Sequence, residues 1–268
     1  MLVKVGFNFI VFIIFFNTMV FANSISRPFV INDMGEGTNS SSKLKEKVVF
    51  LTFDDGPTTT NTRKILDILK NNKVKASFFV VGNNVKLNMA RGNGEILKEA
   101  YNYGVDIYPH SESHVYNKIY RSEAEYIKDL EFCENTINNS LNSNKFNRFL
   151  RMPGGSNNRN ASHTIISNIR KMIKAKGISY IDWNVSTGDA SSKKCSKENI
   201  IKNIESHGDV YNISVVLIHD AYGKESSVDA LQGIIDYYKA RGYKFKSLGE
   251  MNDVEYNYLV KAKVINAN

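Results

Sequence analysis

The feature that most constrains the fold of this chain is a regular alternation of short apolar runs with longer amphipathic segments, which extends from Val48 to about Leu248. Seven apolar runs are typical of buried strands: VVFLTF, ASFFVVG, VDIY, NRFLRMP, ISYIDWNV, ISVVLIHD and YKFKSL. Each run except the last precedes a segment with apolar residues at helical spacing, as in TRKILDILKNN. Strands that are apolar on both faces and alternate with helices indicate a parallel sheet of the α/β class.

The regular spacing of these strand–helix steps over a single domain of roughly 200 residues favours a closed barrel over an open sheet. We therefore predict one domain, residues 47–250, built as a (β/α) barrel of about seven parallel strands. In such barrels the functional groups lie at the C-terminal ends of the strands. The residues that follow each strand are therefore the first candidates for a site.

The first 22 residues differ from the rest of the chain. Lys4 precedes the apolar run VGFNFIVFIIFF, and Val20 and Ala22 are small residues at the positions that a signal peptidase recognises. We predict a signal peptide over residues 1–22; the alternative is an uncut membrane anchor, because the run is nearly long enough to span a bilayer. Both interpretations place the rest of the chain outside the cytoplasm, either secreted or associated with the cell wall or surface.

Two further segments flank the predicted domain. Residues 23–46 are polar and rich in Ser, Asn and Gly, which is typical of a flexible linker, and residues 251–268 are predicted to form a C-terminal tail.

The two cysteines, Cys133 and Cys195, can form a disulfide in an exported protein or remain free thiols. Nothing in the sequence determines the oligomeric state, and we expect a monomer.

The net charge of +8 bears on the class of partner. A basic exported protein is attracted to polyanions such as anionic wall polymers, although lysines can also form no more than a solvated surface. The chain has no arginine-rich stripe with interleaved aromatic residues. We therefore expect no binding to nucleic acid.

Polar or titratable residues follow five of the predicted strands. In chain order they are Asp54 and Asp55; His110 and His114; Arg151, Pro153, Gly154 and Gly155; Asp189; and His219 and Asp220. Because the carboxyl ends of barrel strands share one rim, we expect these groups to lie close together. The other two histidines, His163 and His207, fall in or near predicted helices and are assigned to surface or packing roles.

The H-x-x-x-H spacing of His110 and His114 lets two imidazoles reach one metal ion if the segment turns once. With one carboxylate they form a set that leaves metal positions open for water and substrate, and the metal lowers the pKa of that water. The side chains of Asp54 and Asp55 diverge, so one can bind the metal while the other takes the proton from the water. A divalent cation and Arg151 would relieve the repulsion between the two carboxylates.

Other residues at the strand ends add to this hydrolytic interpretation. His219 is a candidate general acid, which Asp189 can orient and keep protonated. Leu217 is apolar and can line a small pocket near the reacting group, and the N–H groups of Gly154 and Gly155 can stabilise an oxyanion. The structural alternative for TFDDGP is a β-turn begun by the two aspartates, since Asp, Gly and Pro all favour turns.

The motifs TFDDGP, HSESH, RMPGG, STGDA and LIHD, in this order, resemble the five motifs of the polysaccharide deacetylases of carbohydrate esterase family 4, the NodB-homology domain. The resemblance covers roughly Val48 to Leu248, and TFDDGP is its most specific part. It implies a distorted (β/α) barrel and a metal-dependent removal of N- or O-acetyl groups from a glycan. Zn²⁺ fits the ligands, and Co²⁺, Ni²⁺ or Mn²⁺ also accept imidazole and carboxylate.

The resemblance also implies a role for each motif residue. The implied roles are Asp54 as base; Asp55, His110 and His114 as metal ligands; Arg151 as the partner of Asp54; His219 as acid, supported by Asp189; Leu217 as the wall of a pocket for the acetyl methyl; and the amide after Pro153, that of Gly154, as an oxyanion donor. The chain departs from the family where a tyrosine often stands, at Gly154, and where a tryptophan often stands, at Ala190. The only tryptophan, Trp183, is predicted to lie in the core, and the alternative is that it lines the substrate groove.

We predict an exported, metal-dependent deacetylase that acts on N-acetylglucosamine residues of cell-wall peptidoglycan. The alternatives within the same chemistry are chitin oligomers, N-acetylmuramic acid and O-acetylated xylan. The alternative from another class is a wall-binding protein that keeps the fold without catalysis. Loss of the base or of a metal ligand would favour that alternative, and the sequence retains them all.

Overall fold

The computed structural model describes residues 46–191 and 195–267. The predicted signal peptide and nearly all of the predicted linker lie outside these ranges. Within them the chain forms eight β-strands, nine α-helices and one short 3₁₀ helix. None of the helices in these ranges is long and apolar enough to cross a membrane.

The strands form two parallel sheets. The strands are β1 (Val48–Asp54), β2 (Ser77–Val80), β3 (Asp106–Pro109), β4 (Phe149–Leu150), β5 (Ser179–Tyr180), β6 (Val185–Ser186), β7 (Ile213–His219) and β8 (Lys244–Phe245). The larger sheet has the order β3-β2-β1-β7-β6 with β8 beside β1, and β4 pairs with β5. Arg151 N, directly after β4, donates to Pro109 O at the end of β3 (3.2 Å), so a backbone hydrogen bond links the two sheets. The result is the expected distorted (β/α) barrel.

The helices cover the outside of the strands. They are α1 (Asn61–Asn72), α2 (Gly82–Ala90), α3 (Glu95–Tyr103), α4 (Tyr116–Ile119), α5 (Glu123–Leu141), α6 (His163–Ala175), α7 (Lys197–His207), α8 (Glu225–Ala240) and α9 (Asp253–Lys261). Six of them match segments of helical periodicity. Ser122 caps α5 by accepting a hydrogen bond from Glu125 N (3.3 Å), as the spacing of Ser122 and Glu125 predicts.

Two strands differ from the prediction. The run ISYIDWNV is broken into β5 and β6, because the C-terminal segment takes over the backbone groups between them: Ile181 pairs with Ile265, and Asp182 N donates to Val264 O (2.8 Å). β8 does not add a further strand to the wall of the barrel. It pairs with the first two residues of β1, whereas β2 pairs with the last three.

The alternation of side chains along β1 separates two apolar clusters. Val49, Leu51 and Phe53 face the helices, whereas Val48 and Phe50 face the barrel interior. The interior cluster contains the aromatic rings of Phe50, Phe79, Tyr108 and Phe149. Cys133 and Cys195 are both free thiols, so the disulfide that the sequence left open is not formed.

The residues after position 250, expected to be a tail, include α9 and belong to the packed domain. Leu259 of this helix and the following Val264 and Ile265 are at most 2% exposed, and all three contact the interior cluster. They close the end of the barrel where the strands begin. The opposite end, where the strands finish, remains available for polar side chains.

The register of the two longest strands brings Thr52 and three predicted site residues to that opposite end. Thr52 is level with Leu217, and Asp54 is level with His219. All four occupy the interior-facing positions of their strands, since residues two apart share a face. The site therefore begins with a carboxylate and an imidazole on neighbouring strands.

Candidate active site

The paired aspartates diverge because their backbones differ. Asp54 is the last residue of β1, and it is 2% exposed. Asp55 has a φ of 76°, in the left-handed region that non-glycine residues rarely adopt. Its backbone is held there by hydrogen bonds from Asp55 N to Phe79 O (3.2 Å) and from Asn84 Nδ2 to Asp55 O (2.7 Å). Strain of this kind is typical of functional sites.

Asp55, His110 and His114 form a cluster whose ligand atoms all lie within 4.8 Å of one another. Asp55 Oδ1 is 3.4 Å from His110 Nε2 and 3.2 Å from His114 Nε2. His110 Nδ1 lies 2.8 Å from Arg151 O, and because a carbonyl only accepts, Nδ1 carries the proton and Nε2 presents its lone pair. Asp55 Oδ1 is buried without a hydrogen-bond partner among the described residues. A buried orphan carboxylate oxygen facing two imidazoles fits a divalent cation.

Two of the three groups, Asp55 and His114, favour the protonation states that bind a cation. Burial lowers the pKa of His110, but the charges of Asp54 and Asp55 raise it more, so a cation would displace a proton from this imidazole. Burial raises the pKa of Asp55, but the nearby positive charges of His110 and His114 outweigh it, so that the pKa lies well below its usual range. Burial and the charge of His110 lower the pKa of His114. An ionised carboxylate and a neutral imidazole are the forms that bind metal.

Asp129 of α5 holds the loop between the two histidines, and sequence reasoning missed it. Its carboxylate accepts hydrogen bonds from Glu112 N (2.7 Å), from Ser113 N and Oγ (3.2 and 2.7 Å) and from Ser111 Oγ. Ser111 Oγ in turn accepts from His114 N (2.9 Å). The sequence carries no signal for this contact, because a buried aspartate in a helix does not reveal which loop it faces.

Arg151 fixes Asp54. Its Nη1 donates to Asp54 Oδ1 (2.8 Å) and to Thr52 Oγ1 (2.8 Å), while Nε and Nη2 donate to the carbonyls of Ile181 (3.1 Å) and Asp182 (3.0 Å). Arg151 is 1% exposed, and such a buried charge is tolerated only when it is paired and hydrogen-bonded. The other oxygen, Asp54 Oδ2, is 3.8 Å from His110 Nε2, so it faces the metal cluster.

His219 and Asp189 form a second buried pair. His219 Nδ1 is 2.8 Å from Asp189 Oδ1, and Asp189 Oδ2 accepts from His219 N (2.8 Å) and Ser227 Oγ (2.7 Å). Burial lowers the pKa of His219, but the hydrogen bond and charge of Asp189 raise it more, to about 9. His219 is therefore an imidazolium at neutral pH, with Nδ1–H bound to Asp189 and Nε2–H left to serve as an acid.

The glycines of RMPGG form a tight turn under two aromatic rings. Gly154 and Gly155 have φ values of 77° and 82°. A Cβ on Gly154 would lie 3.2 Å from the ring of Tyr116, and one on Gly155 would lie 3.2 Å from the ring of Trp183. Trp183 is half-buried against the interior cluster, so it contributes to the core as predicted and also borders the turn.

Tyr116 and Leu217 lie beside the imidazoles. The ring of Tyr116 packs edge-on against His114, with 5.2 Å between centroids. Leu217 is 4% exposed and lies on the same face of β7 as His219. Its side chain is therefore inside the barrel and next to the imidazole, where the resemblance expects an apolar wall.

Asp220 is the residue of LIHD to which the sequence gave no role. It is 1% exposed, its N–H donates to Asp54 O (3.1 Å), and its carboxylate accepts from Thr62 Oγ1. Burial raises its pKa to about 7. Its carboxylate packs directly against Gly56. A Cβ added to Gly56 would lie 2.0 Å from Asp220 Oδ2. Glycine in TFDDGP is therefore required by close approach as well as by the turn.

The chain is similar to known proteins over most of the described domain. A model of the polysaccharide deacetylase family matches residues 41–172. The chain is 34% identical over 205 residues to a peptidoglycan-N-acetylglucosamine deacetylase of Bacillus cereus, covering 76% of this chain and 67% of that protein. It is 30% identical over 221 residues to a bifunctional xylanase/deacetylase of Pseudobutyrivibrio xylanivorans, covering 82% of this chain and only 33% of the relative's length.

A solved structure shows the same fold. The catalytic domain of peptidoglycan N-acetylglucosamine deacetylase from Eubacterium rectale matches with a TM-score of 0.68 at 37% identity, covering 76% of this chain and 89% of that domain. The fold and the clustered motif residues together define a hydrolytic deacetylase. The chain belongs to the polysaccharide deacetylase family.

Proposed function

We propose that this protein removes N-acetyl groups from N-acetylglucosamine residues of cell-wall peptidoglycan. One observation carries the proposal: the Arg151–Asp54 and Asp189–His219 pairs converge on the cluster of Asp55, His110 and His114. Such a set combines a base, an acid and a cation site around one position. The names of the relatives from Bacillus cereus and Eubacterium rectale favour peptidoglycan as the glycan.

In this proposal Asp55, His110 and His114 hold one divalent cation, with Zn²⁺ the best fit to the ligands. When bound, the cation polarises the acetyl carbonyl and lowers the pKa of water. Asp54 accepts the proton of the attacking water through Oδ2. Arg151 fixes the direction of the Asp54 carboxylate, because it binds the opposite oxygen.

The second half of the reaction needs an acid and an oxyanion donor. His219 donates the proton on Nε2 to the leaving amine, and Asp189 keeps His219 protonated until that step. General acid–base catalysis of this kind contributes typically about 10²–10⁴-fold. Gly154 N–H stabilises the negative charge that develops on the carbonyl oxygen, and Leu217 bounds the space for the acetyl methyl.

The remaining features of the proposal concern location and substrate. We place the protein outside the cytoplasm, released by cleavage after residue 22 or held at the membrane by the uncut segment. Chitin oligomers, N-acetylmuramic acid and O-acetylated xylan are the competing substrates. Two other relatives carry names of this kind, a peptidoglycan-N-acetylmuramic acid deacetylase of Bacillus subtilis and the xylanase/deacetylase.

The test is acetate release by purified protein loaded with Zn²⁺ or Co²⁺. We expect release from intact peptidoglycan, with mass spectrometry of the digested products locating the free amine on glucosamine. Asp54→Asn keeps the size of the base but removes its proton acceptor, so release should fall at least about 10²-fold while metal content stays near one equivalent. Asp55→Asn should lose metal as well as activity.

Four outcomes would contradict the proposal. No acetate from any N-acetylglucosamine polymer would rule out the reaction, and tight binding to cell walls without release would favour the non-catalytic alternative. Faster release from xylan or N-acetylmuramic acid would change the substrate. An Asp54→Asn protein with full activity would show that the base is another residue.

A further inference from the structure

The proposed oxyanion donor, Gly154 N–H, belongs to a peptide group whose direction is not determined by the turn alone. Gly155 N donates to Met152 O (2.8 Å), which closes a four-residue turn with Pro153 second and Gly154 third. The φ of 77° at Gly154 makes it a type II turn. A type I turn closes the same ends, accepts proline in the second position and has a negative φ in the third.

These two turns differ by a rotation of the central peptide group, here Pro153–Gly154. In a trans peptide the C=O and N–H point in opposite directions, so the rotation of about half a turn would exchange their sides. Glycine adopts positive and negative φ about equally readily. A contact outside the turn must therefore select the side on which Gly154 N–H lies.

Tyr120, the residue that follows α4, makes that contact. Its hydroxyl donates to Pro153 O at 2.7 Å, and the side chain is 3% exposed. The ring is fixed by stacking on Tyr126, with 5.6 Å between centroids and 28° between planes. A buried hydroxyl and a buried carbonyl each lose free energy without a partner, so the bond holds the carbonyl towards the cluster around α4, α5 and α6.

The N–H at the other end of this peptide is left for a ligand. No described residue accepts a hydrogen bond from Gly154 N. The neighbouring Tyr116 contacts both the Gly154 position and His114, which places the turn beside the metal cluster. A hydrogen bond to the carbonyl also polarises the amide and strengthens its N–H as a donor.

We propose that Tyr120 is a positioning residue for the oxyanion: by holding Pro153 O it directs Gly154 N–H at the oxygen of the acyl group. This inference rests on the proposed deacetylase function. Tyr120 touches no reacting atom. Its effect should therefore appear in the transition state, where charge develops on that oxygen, and only weakly in substrate binding.

Tyr120→Phe tests the proposal, because it removes one oxygen atom and keeps the packed ring. Tyr180→Phe is the matched control: Tyr180 lies in the same apolar cluster, and its buried hydroxyl donates to Ala267 O at 2.6 Å. We expect Tyr120→Phe to lower kcat about 10- to 100-fold with KM changed less than about twofold. Both variants should lower the melting temperature by similar amounts, because each loses one buried hydrogen bond. Tyr180→Phe should nevertheless leave kcat within about twofold of the wild-type value.

A second readout separates positioning from a general structural effect. A phosphonamidate analogue of the N-acetyl group carries a tetrahedral oxygen where the oxyanion forms, and its affinity for Tyr120→Phe should fall by the same factor as kcat/KM. A crystal structure of Tyr120→Phe should show negative φ at Gly154 in part of the molecules. Retained positive φ with wild-type kcat would overturn the role of Tyr120.

The other outcomes are also decisive. A kcat as low in Tyr180→Phe as in Tyr120→Phe, or a loss of kcat/KM without loss of analogue affinity, contradicts positioning. If wild-type protein releases no acetate from any glycan, the proposed function itself is wrong, and the inference fails with it. An active wild type with an equally active Tyr120→Phe refutes only the inference.

Discussion

At the scale of single residues, Asp54 and Asp55 differ because one is the end of a strand and the other has left-handed backbone geometry. The sequence placed both at a strand end and indicated that their side chains diverge. It could not decide from the residues alone which one faces the histidines, because that depends on a φ value that no pattern encodes. The assignment came from the family resemblance, and the geometry of Asp55 agrees with it.

The same limit applies to Asp129 and Tyr120. Both are polar groups within the apolar pattern of the α4–α5 region, and each completes a hydrogen-bond set in a loop that lies elsewhere in the chain. Periodicity predicts that such positions are buried. It does not predict the partner, which depends on how loops from different strands meet.

Asp189 should determine the upper pH limit of activity. Its hydrogen bond and charge are the main causes that raise the pKa of His219 to about 9, against the lowering effect of burial. The acid form should therefore persist through neutral pH and be lost as the pH rises through about 9. Asp189→Asn removes the two largest raising causes and leaves the smaller effects of Asp54 and Asp55, so the alkaline limb of kcat against pH should move down towards the ordinary histidine value of about 6.5.

The measurement is a pH–rate profile of acetate release with matched buffers. Ser227→Ala is the control, because it removes a hydrogen bond to the same carboxylate without removing the negative charge. Its alkaline limb should move much less. An alkaline limb that is unchanged in Asp189→Asn would show that the limb reports another group.

At the scale of elements, the predicted helices that were confirmed are those with a continuous apolar stripe, such as α1, α5 and α8. The short elements were not predictable. α4 has only four residues, and β5 and β6 have two each, so each contains about one period of its pattern, which is too short to recognise in a sequence. The tertiary context decides their conformation, and in β5 and β6 that context is the C-terminal segment.

Helix α5 should control metal affinity through Asp129. An amide in place of this carboxylate cannot accept at both ends, so Asp129→Asn should leave one of the donors from Ser111 or Ser113 unpaired and loosen the loop that carries both histidines. We expect affinity for Zn²⁺ to fall about 10- to 100-fold, as is typical for groups that orient metal ligands.

The affinity is measured by competition with a chromogenic chelator. Glu131→Gln is the control on the same helix, since Glu131 is half-exposed and pairs with Lys176 at the surface (2.7 Å). It should bind Zn²⁺ like the wild type. Equal affinity in all three proteins would show that the loop keeps its geometry without Asp129.

At the scale of the whole molecule, the barrel is closed at one end by apolar side chains and carries the site at the other. The strand–helix alternation predicted the barrel and the rim on which the site lies. It did not predict the role of the last residues, because α9 follows the final strand and has no place in a repeating strand–helix pattern. The domain is complete only when this helix covers the interior.

Leu259 should therefore be a core residue despite its position near the end of the chain. It is fully buried, and Leu259→Ala should reduce the free energy of unfolding by about 2–5 kcal/mol. Val260→Ala is the neighbouring control, because Val260 is 40% exposed and its loss should cost less than about 1 kcal/mol. Urea unfolding followed by circular dichroism measures both, and equal stabilities would contradict the packing of α9.

The pairing of β1 with β7 has a consequence for when the protein becomes active. Asp54 stands on the first strand, whereas His219 is aligned beside it only by a strand that begins at Ile213. A nascent chain emerging from N- to C-terminus exposes its two aspartates early, but it has no acid to place beside them until most of its length is free. The order of synthesis therefore leaves an unfinished chain without the pair of groups that the proposed reaction needs.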